Sequence, residues 1–529
     1  MSGLITRARP AAVVVVVCGV VAGLVILLLP LALVAVPPLL DYPNHLARLW
    51  LIVQGPLGPP LSDIYAVDWS LAVTNIGIDL LALVLGPSIG ADAVGRLSIA
   101  LALALPVLGA IAFGRVVAGR WHVAMLALPP LAWNLPFALG FLNNQIAAGA
   151  ALAVAALVAA SRVAGLARAV LLAASGAAVA VIHPFGAMLL GGLMAALAAG
   201  PNLPRRHELW ATTWRAAMGA APVVLGVGLL LVLAPARPGA DARFATSLLD
   251  MAYTPALKSM AVLSPFITYF PIAEAALALV LILAVYLGLR QGWLRAHGGL
   301  LVLAVALFVA SAVTPSTIGD TGFIDIRPSA MALFVLAAAL APAAVPGRRV
   351  VVACALGALA LGAVRSAAIH HEWQLASRDL VAVERAIAHL PPGVALMSAE
   401  AGPPQMRGHD RHPWVMGMIP TYWHFPLRAV ELRAAFVPTF FAFDGRQPVA
   451  VREPWRIAAA PMHPLPFTAW LRDPDEDMAV RADYPRIAEW RADFRYLLVI
   501  NAGFATAQTM PEGLDLVADE GFARLYRVR

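Results

Sequence analysis

Long apolar runs broken by short basic connections dominate residues 1–369. A helix needs about 20 apolar residues to cross the hydrocarbon core of a bilayer. On that measure the pattern predicts crossings at 11–36, 94–114, 121–139, 143–161, 168–183, 185–200, 216–234, 272–289, 298–314, 328–344 and 349–366. The basic connections then fall at Arg115/Arg120, Arg162/Arg168, Arg205/Arg206, Arg290/Arg295 and Arg348/Arg349. With eleven crossings all five lie on the side of Arg7 and Arg9, which satisfies the positive-inside rule. The N-terminus is thereby expected in the cytoplasm and the region after the last crossing outside. The first apolar run is too long for the core of a signal peptide, so it reads as an uncleaved first transmembrane helix.

Two stretches depart from simple crossings. Residues 69–87 are apolar but carry Asn75 and Asp79, and a crossing there would place Arg115 and Arg120 outside. They are expected to form an interfacial or re-entrant helix within one long external loop, 37–93. Residues 168–200 hold His183-Pro184-Phe185-Gly186 at their centre, which predicts two short helices meeting at an external turn. From about His370 the charges become dense and the pattern mixed. A helix over 372–390, strands at Val394–Met397, Tyr496–Ile500 and Ala523–Val528, and a helix around 484–491 are predicted. Residues 370–529 are long enough for one external soluble α/β domain after the transmembrane domain 1–369. The expected fold class is a polytopic α-helical membrane protein of about eleven transmembrane helices with a C-terminal external α/β domain.

Composition sharpens this picture. Of 529 residues, 61% are hydrophobic and 13% charged, more apolar sequence than a soluble core absorbs. The net charge is +7, and Lys258 is the only lysine, so the basic excess reads as topology signal and not as a nucleic-acid footprint. Cys18 and Cys354 both fall in apolar spans, which leaves no disulfide framework or cysteine zinc site. No Walker A, strand-borne GxGxxG or GxSxG motif appears.

The carboxylates before Ser366 are Asp41, Asp63, Asp68, Asp79, Asp92, Glu208, Asp241, Asp250, Glu274, Asp320 and Asp325. The topology drawn from arginines puts all but Glu208 on one side of the membrane. The first lies just past the first span, in Asp41-Tyr42-Pro43-Asn44-His45-Leu46-Ala47-Arg48. The bland account is a solvated loop acid followed by a turn. Against it, an acid, an amide, an imidazole and a guanidinium fall within eight residues. A helix starting at Asn44 would put His45 and Arg48 on one face. A general base needs a carboxylate or imidazole near the acceptor hydroxyl, and a phosphate-bearing donor needs an arginine.

This arrangement resembles the GT-C fold glycosyltransferases, integral membrane enzymes that use polyprenyl-phosphate-linked sugars. In that superfamily a first helix is followed by a long external loop with an acid near its start, then by several spans and a C-terminal periplasmic α/β domain. The resemblance covers nearly the whole chain in architecture; in sequence it rests on Asp41-Tyr42-Pro43-Asn44-His45. It implies that Asp41 is the catalytic acid–base residue, with His45 next in line. The common paired-acid signature is absent because Tyr42 follows Asp41, so no cofactor is implied and a divalent metal has no motif in its support.

Further candidates follow the same logic. Asn143, Asn144 and Gln145 at a membrane boundary either cap helices or read sugar hydroxyls. His183 is either a structural residue of its turn or faces a cavity. Lys258, Asp325 and Arg327, with Asp320 nearby, offer either ion pairs or donor-phosphate contacts, as do Asn44 and Arg48 for the substrate. Arg407-Gly408-His409-Asp410-Arg411-His412, with His424 beyond, lacks metal-ligand spacing and reads as a polar loop. The expected function is inverting transfer of a sugar from a polyprenyl-phosphate donor to an unidentified glycan, lipid or protein acceptor at the outer face of a bacterial inner membrane. Asp41 should share a cavity with Arg48, Lys258 or Arg327 without forming a tight ion pair. A transporter or flippase of a lipid-linked envelope precursor, or a non-catalytic envelope assembly protein, are the alternatives. One-sided acids and the lack of an internal repeat count against transport.

Overall fold

The computed structural model describes residues 10–234, 255–317, 321–401, 412–442, 447–460, 465–474, 484 and 486–529. The chain is a polytopic helical membrane protein with a C-terminal β-sheet region. Its helices are α1 (Pro10–Leu33), α2 (Tyr42–Val53), α3 (Leu61–Ile64), α4 (Gly77–Ile89), α5 (Ala91–Ala118), α6 (Leu135–Ala138), α7 (Leu142–Ala160) and α8 (Gly165–Ile182). Then come α9 (Pro184–Ala199), α10 (Leu209–Leu233), α11 (Pro255–Leu263), α12 (Pro271–Arg290), α13 (Gly298–Val313), α14 (Ile326–Ala339), α15 (Arg348–Ile387) and α16 (Arg428–Arg433). Among the described residues seven helices are long and apolar enough to cross a membrane: α1, α5, α7, α8, α10, α12 and α15. Shorter apolar segments are α4, 123–138, α9, α13 and α14.

Small residues let the crossings approach closely, as lipid-embedded helix contacts favour. The axes of α5 and α7 meet where Gly109 faces the Gly149 carbonyl and Gly149 faces the Leu105 backbone, so a methyl group on either glycine would overlap its neighbour. The turn expected within 168–200 is present: α8 ends at Ile182 and α9 starts at Pro184.

Three expected elements differ. The stretch 121–139 is not one helix. It forms 3-10 turns at Val123–Ala127 and Pro129–Leu131, then the single turn α6. Pro129, Pro130 and Pro136 supply no amide N–H and break the α-helical ladder. This path still runs beside α1, with Leu126 against Gly19, Pro129 against Gly23 and the Ala138 carbonyl accepting from Leu40 N at 3.2 Å. A 3-10 path rises about 2 Å per residue against 1.5 Å for an α-helix, so fewer residues cover the same depth. Second, the helices expected at 349–366 and 372–390 are one, α15, of 40 residues, running from the bundle through residue 370 into the C-terminal region. Third, α14 ends at Ala339 because Leu340–Pro342 (β3) pairs antiparallel with Leu294–Ala296 (β2).

The C-terminal sheet is mixed, in the order β4-β8-β10-β9. Here β4 is Leu396–Glu400, β8 Tyr496–Ile500, β9 Leu514–Asp519 and β10 Ala523–Val528. β4 runs parallel to β8, and β10 is antiparallel to both β8 and β9. Two of the expected strands coincide with β8 and β10. β4 starts two residues later than expected, β9 was not anticipated, and the helix expected around 484–491 is a 3-10 turn, Ile487–Glu489, leading into one turn, Trp490–Asp493. Two hairpin strands, β5 (Trp414–Val415) and β6 (Ile419–Pro420), pair antiparallel, and their turn reaches the loop before α12 through Met416 N donating to Thr268 O at 2.6 Å. The loop after α1 is sewn to this region: β1 (Tyr65–Val67) pairs antiparallel with β7 (Val449–Val451), and Tyr65 OH donates to the Ala435 carbonyl at 2.9 Å.

A broken helix leaves carbonyls without amide partners, and burying them costs free energy unless another donor arrives. Arg365 of α15, itself buried, supplies it. Its Nη1 donates to Pro130 O at 2.9 Å, and its Nη2 to Trp133 O at 3.1 Å, Phe266 O at 2.9 Å and Glu274 Oε1 at 3.2 Å. Glu274 also accepts from Thr268 N and Thr268 Oγ1, both at 2.5 Å, and from Phe270 N at 3.2 Å. Arg365→Leu is expected to lose about 3–5 kcal/mol of stability, the cost of stranding a buried charge. Adding Glu274→Leu should recover only part, since the carbonyls stay unpaired. Equilibrium unfolding in detergent reads both, and an Arg365→Leu variant as stable as the parent contradicts the cross-tie.

Candidate active site

Asp41 follows the first crossing, and its backbone is held rigidly. Leu40 N donates to Ala138 O at 3.2 Å and Asp41 N to Leu139 O at 3.1 Å. The facing turn closes at Gly140, whose φ of +87° belongs to the left-handed region. A Cβ on Gly140 would sit 3.0 Å from both Cβ and N of Asp41. Asp41 occupies the N-cap position of α2, yet its carboxylate makes no capping hydrogen bond, and Pro43 in the first turn offers it no N–H. The carboxylate therefore sits at the positive end of a helix dipole with its oxygens uncommitted to the backbone. Its side chain is 14% exposed, and Oδ1 lies 3.5 Å from His424 Nε2.

The rest of the Asp41–Arg48 segment turns inward. His45 Nε2 contacts Gly140 O at 3.0 Å, while its buried Nδ1 has no partner. A carbonyl only accepts, so Nε2 carries the proton. Burial, then the Arg48 charge, hold this imidazole well below its ordinary pKa, and it is neutral. Asn44, fully buried, bridges to the C-terminal region: its Nδ2 donates to Thr439 O at 2.9 Å and its Oδ1 accepts from Phe441 N at 2.8 Å. Arg48 forms an ion pair with Asp79, Nε to Oδ1 at 2.6 Å, with both side chains almost completely buried. Its charge is spent on joining α2 to α4 and not presented to a cavity.

Arg327 presents its charge differently. Its guanidinium lies over the Phe141 ring at 4.7 Å and the Phe185 ring at 5.4 Å. Nη2 donates to Gly322 O at 3.3 Å, and its buried Nε has no hydrogen-bond partner. It lies within electrostatic reach of Asp41 and Asp325, but among the described residues no hydrogen bond or ion pair joins it to either. Lys258 is engaged instead with Asp325, Nζ to Oδ2 at 2.5 Å, with Thr314 O at 2.6 Å, and with Ser316 Oγ at 3.4 Å. Asp325 also accepts from Ser316 Oγ at 2.8 Å.

The amides and His183 divide between the two roles. Asn143 is a structural cap, its Oδ1 accepting from Ile78 N at 2.8 Å and its Nδ2 donating to Asn75 O at 2.7 Å. Gln145 donates to Asn134, which caps α6. Asn144 differs: it is 1% exposed, and neither amide atom has a partner. It lies one turn from Phe141 on α7, the ring that faces Arg327. His183 caps α9 by accepting from Phe185 N at 3.2 Å and lies within electrostatic reach of Arg327.

Asp41, Asn144, His183 and Arg327 thus have uncommitted polar atoms or charge near one end of the bundle, whereas Arg48, Asn143 and Gln145 are structural. His424, Phe141 and Phe185 were not singled out for these places. Phe141 and Phe185 each lie two residues from a candidate, Asn143 and His183, the only sequence signal that aromatic cover for a cation is near. Nothing local marked His424. Asp320 and residues 407–411 lie outside the described residues. His412, at their edge, hydrogen-bonds Asp379 through Nδ1 at 2.6 Å.

No family model and no curated protein sequence matches the chain. Its structure matches the crystal structure of ArnT from Cupriavidus metallidurans in the apo state, with a TM-score of 0.52 and 13% identity over 97% of each chain. The same comparison with ArnT bound to undecaprenyl phosphate gives 0.49 and 13% over 97% of each chain. The chain therefore has the ArnT fold, in agreement with the GT-C resemblance read from the Asp41 loop.

Gly140 offers a test of the pinned loop. Gly140→Ala must accommodate a positive φ and a methyl group against Asp41, whereas Gly119→Ala (φ +67°, open space around its Cβ) meets only the backbone strain. The strain alone is worth about 1 kcal/mol, and the Gly140 variant should lose about 1–3 kcal/mol more. Melting curves of the two variants in the same detergent compare them directly. Equal losses would show that Gly140 and Asp41 are not in close contact.

Proposed function

We propose that this protein is an inverting membrane glycosyltransferase that moves a sugar from a polyprenyl-phosphate donor to an acceptor hydroxyl. The observation that carries the proposal is that the Asp41 carboxylate and the Arg327 guanidinium lie within electrostatic reach with no hydrogen bond or ion pair between them among the described residues, as a base and a donor-phosphate contact would need. A base locked in an ion pair would be a poorer proton acceptor. The ArnT fold supports a lipid-linked donor, because a mostly membranous enzyme keeps the polyprenyl tail in the bilayer while the reacting carbon meets the polar end of the bundle.

In this scheme the acceptor oxygen attacks the anomeric carbon from the Asp41 side and its proton passes to the Asp41 carboxylate. The bond from the anomeric carbon to the phosphate oxygen breaks, and polyprenyl phosphate leaves with its negative charge facing Arg327. A guanidinium whose Nε has no protein partner has a donor available for that oxygen. The Phe141 and Phe185 faces fix its plane and shed water around it. Lys258, closed against Asp325, is spent on that pair and not on the donor. In this reading the amide of Asn144, which has no protein partner, serves sugar hydroxyls, and His183 lines the same side. The Asp41 end faces the periplasm or outer surface of a bacterial inner membrane, because the basic connections gather at the opposite end.

Four measurements test this. With purified protein, polyprenyl-phosphate sugar and an acceptor, Asp41→Asn should lower kcat about 10²–10⁴-fold with donor binding largely kept. Full turnover in that variant would remove Asp41 as the base. Arg327→Gln should raise the donor KM at least about tenfold, the scale of losing a charge-assisted hydrogen bond. Arg48→Gln should instead reduce folded yield through the stranded Asp79. Reporter fusions after Arg529 should be active only for the periplasmic reporter; cytoplasmic activity there would overturn the orientation.

A further inference from the structure

The chemistry proposed above needs Asp41 held as an oriented carboxylate, and the first 369 residues provide no side chain that hydrogen-bonds it among the described contacts. The group that reaches it comes from the far end of the chain. His424 lies on a buried 3-10 turn, Thr421–Leu427, that packs on α2. Its ring faces Phe441 edge to face, with centroids 5.0 Å apart. Its two nitrogens meet two different partners: Nδ1 lies 3.4 Å from Asn44 Nδ2, and Nε2 lies 3.5 Å from Asp41 Oδ1.

The proton on this ring can be placed by elimination. Asn44 cannot rotate its amide, because Oδ1 must accept from Phe441 N and Nδ2 must donate to Thr439 O. The second hydrogen of Nδ2 then points at His424 Nδ1, which has to be an acceptor. A neutral imidazole with an accepting Nδ1 carries its proton on Nε2. That proton lies on the nitrogen 3.5 Å from the Asp41 Oδ1.

We infer that Asn44 and His424 form a positioning pair for Asp41: Asn44 fixes the His424 tautomer, and the Nε2–H of His424 orients the Asp41 carboxylate toward the acceptor. The inference rests on the reading of Asp41 as base. His424 itself exchanges no proton with the substrate. Asn44 ties the two regions together, since its backbone partners, Thr439 and Phe441, lie on the same C-terminal segment as His424. Docking of the C-terminal region onto α2 and the setting of the base are therefore one event.

Two readouts test the pair, one independent of catalysis. In protein labelled with ¹⁵N-histidine, the resonances lost in His424→Gln should be those of an Nε2-protonated ring. They should persist in Asp41→Asn and change to a mixture of tautomers in Asn44→Leu. A pure Nδ1-protonated ring in the unmodified protein overturns the inference whatever the activity proves to be. The second readout is kinetic. His424→Phe keeps the ring and its packing on Phe441 but removes the donor, and kcat should fall about ten- to a hundredfold with donor KM within about twofold. His424→Gln, which places an amide N–H near the Nε2 position, should recover most of that loss. If the Phe variant matches the parent, or Gln is no better than Phe in equally folded protein, the positioning role is wrong. If the unmodified protein transfers no sugar from any polyprenyl-phosphate donor, the functional reading fails, and the NMR result alone decides whether the pair exists.

Discussion

The Arg365 guanidinium sets the condition under which the rest of this bundle can form. Backbone that departs from helix inside a membrane must find internal hydrogen-bond donors, because lipid has none. The three prolines between 129 and 136 impose such a departure beside α1. One arginine on α15 answers it, reaching Pro130 O, Trp133 O and Phe266 O and pairing with Glu274 at the start of α12. Trp133 packs edge to face on Trp373 of the same long helix, with ring centroids 5.7 Å apart. The broken crossing is thereby clamped between α1 and α15, and its upper end is delivered to Asp41 as the turn that closes at Gly140. The position of Asp41 is thereby linked to the Arg365 tie through the segment 129–140.

Buried charge in this protein does two separate jobs. Arg48–Asp79 and Arg365–Glu274 are closed pairs that fix α2 to α4 and α15 to α12. Such pairs add little net stability relative to a well-packed apolar alternative, but losing one partner is costly. They specify which surfaces meet. Arg327 is kept apart from its neighbouring acids and covered by aromatic rings, an arrangement that leaves its charge for a ligand. The same residue type thus serves as a staple at Arg48 and Arg365 and as a candidate anion site at Arg327, and what separates the roles is whether a carboxylate lies within hydrogen-bond reach.

The loop after α1 and the C-terminal region act as one structure. β1 pairs with β7, Tyr65 bonds the Ala435 carbonyl, and Asn44 bonds Thr439 and Phe441. α15 runs unbroken from the bundle into this region, so its packing is transmitted through a rigid rod and not through a linker. The boundary suggested by the change in composition near His370 falls inside that helix. Composition reports the solvent around a segment, and a helix passing from lipid to water changes its residues without changing its backbone.

The sequence by itself determined what periodicity, length and charge asymmetry can carry: a polytopic membrane protein, the hinge at His183-Pro184, the β8 and β10 strands, and an acid at the exit of the first helix. These are local quantities, each decided within one span or one turn. It could not determine which polar groups are consumed in pairs, because the partners are remote in the chain. Arg48 reads as available until Asp79, 31 residues on, closes against it, and the amides of 143–145 read alike until Asn143 caps α4, Gln145 bonds Asn134 and Asn144 is left without a partner. His424 meets Asn44 across 380 residues, a contact no spacing rule anticipates. Hydrogen bonds act over about 3 Å of space whatever the separation along the chain, so the tertiary structure alone decided which of the candidate residues remain for chemistry.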